Sequence, residues 1–207
     1  MKLLNLGCGQ NILTGWINVD LRENPGVDLI FDLNAMPERC LPFEDSSIDV
    51  ILLSHVLEHL DRPLDVMEEF WRIATPNALL IIRVPHGGSD EAWIDLTHRR
   101  PFFPRSFSYF GQPKYHNFDY GYSGDWRCDT ILLATPLLSD NSLDKKTILA
   151  AIHRQRNLCS EMVALLYAVK PRRPRQRELM SAPELNVVSD VPNDPNFFLR
   201  ENFMKIG

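Results

Sequence analysis

The stretch Leu3-Leu4-Asn5-Leu6-Gly7-Cys8-Gly9-Gln10, followed ten residues on by Val19-Asp20, decides how the rest of the chain reads. An apolar run of strand length meets two glycines one residue apart, and a carboxylate closes the next strand-like run. Glycines at the end of a strand let the chain turn tightly and let a ligand lie against bare backbone amides. A carboxylate at the end of the following strand can accept both hydroxyls of a ribose. A single Gly-x-Gly is a weak signal, and Asp20 alone could cap a turn. The neighbouring segments therefore have to agree.

Only 13 positions separate Gly7 from Asp20, and Gly15-Trp16 already enters the second strand, over residues 16–20. A parallel crossover normally takes a dozen or more residues, usually as a helix. The first helix is expected to shrink to about a turn or give way to a loop. Asn24-Pro25-Gly26 is a turn, residues 29–33 a third strand, and residues 49–53 a buried central strand. Leu57, Leu60, Leu64, Met67, Trp71 and Ala74 recur at steps of three and four, which predicts one helix with Asp61 and Pro63 near its start and Thr75-Pro76-Asn77 as its stop. Residues 78–84 form another continuous apolar strand. Buried strands with interposed helices predict an α/β sheet covered on both faces.

Beyond Pro85 the pattern loosens. Residues 86–104 are polar, aromatic and glycine-bearing, too long for a simple connection and suited to a lid. A short helix is expected over 104–110 and a strand over 126–134. Ser142 is positioned to cap a long helix reaching about Val169, and residues 185–189 form a last strand.

With 207 residues and 44% hydrophobic content, the chain can bury one core. No apolar run reaches the roughly 18 residues a membrane span needs, and Met-Lys-Leu-Leu-Asn leads into a strand without a cleavable signal pattern. Cys8, Cys40, Cys128 and Cys159 show no paired spacing and read as free thiols of a reducing cytoplasm. The net charge of −5 is uneven: residues 1–100 hold 8 Lys/Arg against 16 Asp/Glu, residues 101–207 hold 14 against 11. The acidic first half argues against a broad nucleic-acid face. Lys170-Pro-Arg-Arg-Pro-Arg-Gln-Arg177 carries no interleaved aromatics and reads as a solvated proline-rich loop rather than a phosphate grip.

Five segments taken in order resemble one family. Leu-Asn-Leu-Gly-Cys-Gly9, Gly15-Trp-Ile-Asn-Val-Asp20, Phe31-Asp32-Leu33, Leu41-Pro-Phe-Glu-Asp-Ser-Ser-Ile-Asp-Val50 and Ser54-His-Val-Leu-Glu-His-Leu60 are similar to class I S-adenosylmethionine-dependent methyltransferases of the type 11-like kind. Asn77-Ala78 stands where that family usually has two glycines, and Asn11 where many members carry a third. The resemblance covers roughly residues 2–110. It implies a Rossmann-like mixed sheet with helices on both faces, a shortened first helix and an elaborated C-terminal half. The single domain 1–207 then divides into a cofactor-binding half (1–85), a lid and substrate segment (86–110) and a C-terminal elaboration (111–207).

S-adenosylmethionine is the cofactor implied, with contacts at Asn5, Gly7, Cys8, Gly9, Asp20, Leu21, Asp32, Leu33, Ser54 and His55. The implied reaction is methyl transfer to an oxygen or nitrogen of a small-molecule, glycan or lipid-linked acceptor. The rival readings are a non-catalytic S-adenosylmethionine-binding regulator or subunit and an NAD-linked oxidoreductase, the latter disfavoured by the missing Gly-x-Gly-x-x-Gly and the short first crossover. Displacement at a sulfonium asks the protein to align the acceptor and take its proton. His98 is the first candidate base, with Asp95 to orient it in Asp95-Leu-Thr-His98, and His59 and His55 follow. His55, Glu58 and His59 also fall at i, i+3 and i+4, which is metal-ligand spacing on a helix. The same segment serves packing and capping in members without metal, so no metal is expected.

Overall fold

The computed structural model describes residues 1–140 and 142–203. Eight strands lie in one sheet: β1 (Leu3–Leu6), β2 (Ile17–Asp20), β3 (Leu29–Ile30), β4 (Ile48–Ser54), β5 (Ala74–Pro85), β6 (Trp126–Ala134), β7 (Glu161–Ala168) and β8 (Glu184–Val188). Their order is β3-β2-β1-β4-β5-β7-β6-β8. All neighbours run parallel except β7, which is antiparallel to both β5 and β6. Leu6 of β1 pairs with Val19 of β2 and Leu53 of β4, so three strands end together. Gly7, Asp20 and Ser54 emerge on that edge, where open α/β sheets bind ligands.

Alternation along the central strands feeds two cores. Leu4, Leu6, Ile51, Leu53, Leu80 and Ile82 face one side, against Val66, Met67, Phe70 and Ile73 of helix α1 (Pro63–Ile73) and the rings of Phe107, Phe110 and Trp126. Val50, Leu52, Leu79, Ile81, Val163 and Leu165 face the other side. That second face carries no helix between β1 and β2; Leu13, Trp16 and Val191 cover it, with Phe198 and Leu199 of a C-terminal helix (Asn196–Phe203). The shortened first crossover is thus a loop.

Three expectations need correction. The stripe from Leu57 to Ala74 is not one helix: a 3-10 turn at Leu57–His59 is followed by extended Leu60, and α1 begins at Pro63. Proline disfavours helical backbone in the residue before it, and Arg62 accordingly sits outside the helical region at φ −123°, ψ 71°. The third strand stops at Ile30, because Asp32 turns to cap the 3-10 turn Leu33–Ala35. The long helix expected from Ser142 to Val169 is a helix at Lys145–Arg154, capped by Asp144, followed by β7. Residues 161–168 are apolar because both faces of β7 are buried, and periodicity cannot separate such a strand from a buried helix.

The C-terminal elaboration is held by polar contacts as well as apolar ones. Asp125 is fully buried and accepts from Gln112 N, Arg173 N, Arg173 Nε and Arg173 Nη2 at 2.7–3.0 Å. Arg175 donates to Gln112 and Asp119, and Lys170 lies over the Trp71 ring at 4.7 Å. The basic run is a loop, as expected, but four of its cations, Lys170, Arg172, Arg173 and Arg175, are engaged in fastening it to the fold. Among the described residues no helix is long and apolar enough to cross a membrane.

Candidate active site

The turn after β1 is built on two left-handed glycines, Gly7 at φ +64° and Gly9 at φ +53°. A Cβ on Gly7 would lie 2.4 Å from a Val56 methyl, whereas one on Gly9 would meet nothing within 4 Å. Gly7 is therefore needed for packing, and Gly9 leaves open room against its backbone. Gly9 N donates to Asp20 Oδ2 at 2.8 Å, and Arg22 N donates to Asp20 Oδ1 at 3.0 Å. Each oxygen keeps a free acceptor position, which matches the pair of hydroxyls on a ribose. Asn5 braces the loop: its amide donates to Asn11 O at 2.9 Å and to Asn18 Oδ1 at 3.0 Å. Burial, then the nearby Asp20, pushes the Cys8 thiol up, so it stays protonated and unreactive.

Two cavities flank this turn. One, of about 250 Å³, is lined by Gly7, Asp20, Leu21, Asp32, Leu33, His55 and His59, among others. The second, of about 440 Å³, is lined by Gly7, Asn5, Cys8, Ser54 and Arg83 with parts of the C-terminal segment. Gly7 belongs to both walls. The expected cofactor contacts thus gather at one sheet edge but divide between two hollows. Asp32 borders the first while its Oδ1 accepts from Asn34 N at 2.9 Å.

The histidines are sorted differently from the sequence expectation. His55 adopts φ +55°, so no single helix carries His55, Glu58 and His59. Its ring lies between Glu161, 3.3 Å from Nε2, and Glu58, 3.4 Å from Nδ1. Glu161 first, then Glu58, pushes His55 up to about 9 against the effect of burial. At neutral pH it is a cation, and a weak proton acceptor. Burial would raise Glu161, but hydrogen bonds from His55 and from Arg83 (2.6 and 2.7 Å) hold it at about 2.

His59 borders the smaller cavity, and its Nδ1 lies 3.0 Å from Thr97 Oγ1. Thr97 Oγ1 donates to Asp95 Oδ1 at 2.7 Å. Residues 95–98 therefore bring Asp95 to two histidines, to His59 through Thr97 and to His98 directly. His98 Nε2 is 3.8 Å from Asp95 Oδ2, its Nδ1 is 3.2 Å from Ala92 O, and its ring stands edge-on to His59 at 4.7 Å. Thr97 was absent from the sequence-derived set, although Asp-x-Thr is an ordinary local hydrogen-bonding pattern. Glu161 was missed because nothing local in a run expected to be helical points toward Ser54-His55.

Residues 4–82 match the family model described as a methyltransferase domain. The match covers less than half of the chain, which there is similar to methyltransferase domains. The domain's likeness extends to an uncharacterized methyltransferase of Mycobacterium avium, 36% identical over 63 residues, which is 28% of this chain and 24% of that protein. The matched part thus spans about a quarter of that relative's length. In fold, the chain is similar to a SAM-dependent methyltransferase of Archaeoglobus fulgidus, with TM-score 0.54, 18% identity, and 80% and 85% of the two chains covered. It is also similar to the [4+2]-cyclase SpnF, with TM-score 0.50, 12% identity, and 81% and 74% covered. The architecture is therefore one that also carries other chemistry.

Proposed function

We propose that this chain binds S-adenosylmethionine at the carboxyl edge of β1, β2 and β4 and transfers its methyl group to an oxygen or nitrogen acceptor. The observation that carries the reading is Asp20, which lines the cavity while its Oδ2 holds Gly9 N of the glycine turn and its Oδ1 holds Arg22 N just past β2. In this reading Asp20 takes the ribose hydroxyls, Gly7 to Gly9 face the cofactor with backbone alone, and Leu21 with Leu33 packs near the adenine, with Asp32 at its edge. When bound, the cofactor supplies a sulfonium methyl open to direct displacement.

The chain's own work is alignment and proton handling. The acceptor, a small-molecule, glycan or lipid-linked compound, enters on the side of the lid segment 86–110. His59 is the group of the wall that meets it, because Nδ1 is engaged by Thr97 and Nε2 is left to the cavity side. Asp95 and Thr97 position the ring, His98 braces it, and His55 contributes fixed positive charge.

S-adenosylhomocysteine should raise the melting temperature, and labelled methyl groups should pass into a metabolite pool. His59→Ala should keep S-adenosylhomocysteine affinity within a few-fold and cut turnover by roughly 100-fold. Stabilisation by S-adenosylhomocysteine with no transfer to any pool would favour the second reading, a non-catalytic S-adenosylmethionine-binding regulator.

A further inference from the structure

Glu58 is the anomaly among the buried polar groups. It is 2% exposed, and both carboxylate oxygens lack a hydrogen-bond donor, the only such side-chain atoms among the described residues. The neighbouring His55 ring stands 3.4 Å from Oε1 without hydrogen-bond geometry, so the acceptor positions of both oxygens stay unfilled. A buried carboxylate left this way costs free energy unless something positive completes it.

The adjacent histidines are set up as if for the same occupant. A carbonyl can only accept, so His98 Nδ1–H donates to Ala92 O. The Thr97 hydroxyl proton goes to the acceptor-only Asp95, so Thr97 Oγ1 accepts from His59 Nδ1–H. In each ring Nδ1 is thereby engaged and Nε2 is the nitrogen left for a ligand, with Asp95 Oδ2 3.8 Å from that of His98. Hydrogen bonding of Nδ1 to a carbonyl or hydroxyl is the usual outer arrangement behind a ligating histidine. One donor atom from each of Glu58, His59 and His98 lies within 4.8 Å of the other two.

We infer that Glu58, His59 and His98 form a binding site for a divalent cation of the zinc type. Two imidazoles and one carboxylate are a donor set suited to zinc, with a fourth position left for water or another ligand. Ligand distances of about 2.0–2.2 Å require the three side chains to draw in by on the order of 1 Å. His55 is not part of the site. Glu58 and His59 come from the turn after β4 and His98 from the lid segment, so the ion fastens the lid over the sheet edge. The site stands on its own geometry, and an ion held there takes the His59 Nε2 that the methyl-transfer reading leaves to the acceptor, so the two uses of that atom exclude each other in one molecule.

The test is titration of the metal-free protein with Co²⁺, followed by its visible absorption, and competition by Zn²⁺. One ion per chain should bind with the visible bands of a four- or five-coordinate site, and Zn²⁺ should displace it. Glu58→Gln and His98→Gln should each weaken binding at least about 100-fold, while His55→Gln should stay within a few-fold. Far-UV circular dichroism and thermal unfolding of each variant serve as the check that it is folded, and Zn²⁺ should slow protease cleavage within residues 86–100. No Co²⁺ binding at micromolar concentrations would overturn the inference. So would binding that survives His98→Gln in a folded variant, or that is lost with His55→Gln.

Discussion

Asp125 and Glu58 are both buried carboxylates, and they are treated in opposite ways. Asp125, in the C-terminal elaboration, accepts four hydrogen bonds, three of them from Arg173. Glu58, at the edge of the cofactor half, accepts none. The same contrast holds for their surroundings. Gln112 donates to two carbonyls and accepts from Arg175, whereas Asp20 and His59 keep open acceptor positions toward a cavity. A polar group whose capacity is exhausted inside the protein holds the fold, and one whose capacity is left over is available to a ligand.

The comparison can be broken at several points. Arg173→Ala should have the largest effect on folding, because it leaves the Asp125 charge buried and unpaired. Removing one partner of such a pair costs about 3–5 kcal/mol, readable as a lower urea midpoint, with S-adenosylhomocysteine affinity within a few-fold of the parent. A loss of under about 1 kcal/mol would mean Asp125 is not structural in the sense argued.

Glu161 falls with Asp125, since Arg83 and His55 fill its capacity. Its folded pKa, about 2, lies below the ordinary 4.5. Its contribution is therefore full above pH 4.5 and is lost as pH falls from 4.5 toward 2. Glu161→Gln should flatten that part of the stability profile by about 2 kcal/mol, allowing for its partial exposure. A parallel acid limb in parent and variant would refute the assignment. Glu58→Gln should do least in the metal-free protein, changing stability by no more than about 1 kcal/mol, because its oxygens have no hydrogen bonds to lose. A cost as large as that of Arg173→Ala would erase the distinction between the two carboxylates.

The elements legible from the chain were those whose signals are local. Gly7, Gly9 and Asp20 share one loop, and the strands at residues 3–6, 17–20, 48–54 and 126–134 are short apolar runs between turn residues. Errors came where tertiary context decides. Pro63 divides a stripe whose spacing looks continuous, and β7 is apolar on both faces because it lies between β5 and β6. At the site, Asp95 was readable as a partner for a histidine. That Asp95 reaches His59 as well as His98, through Thr97, depends on how this segment folds against the turn after β4, and no spacing within residues 95–98 carries that. The fate of Lys170 to Arg177 was hidden for the same reason, since Asp125 lies more than forty residues away.

The central claim is that the leftover acceptor capacity of Asp20 is there for the ribose of S-adenosylmethionine. Calorimetric titration of parent and Asp20→Ala with S-adenosylhomocysteine, and of the parent with NAD, tests it most directly. The parent should bind S-adenosylhomocysteine and not NAD, and the variant should lose about 2 kcal/mol of that binding, roughly 30-fold. Equal affinity for NAD, or an undiminished titration in a folded Asp20→Ala variant, would contradict the account.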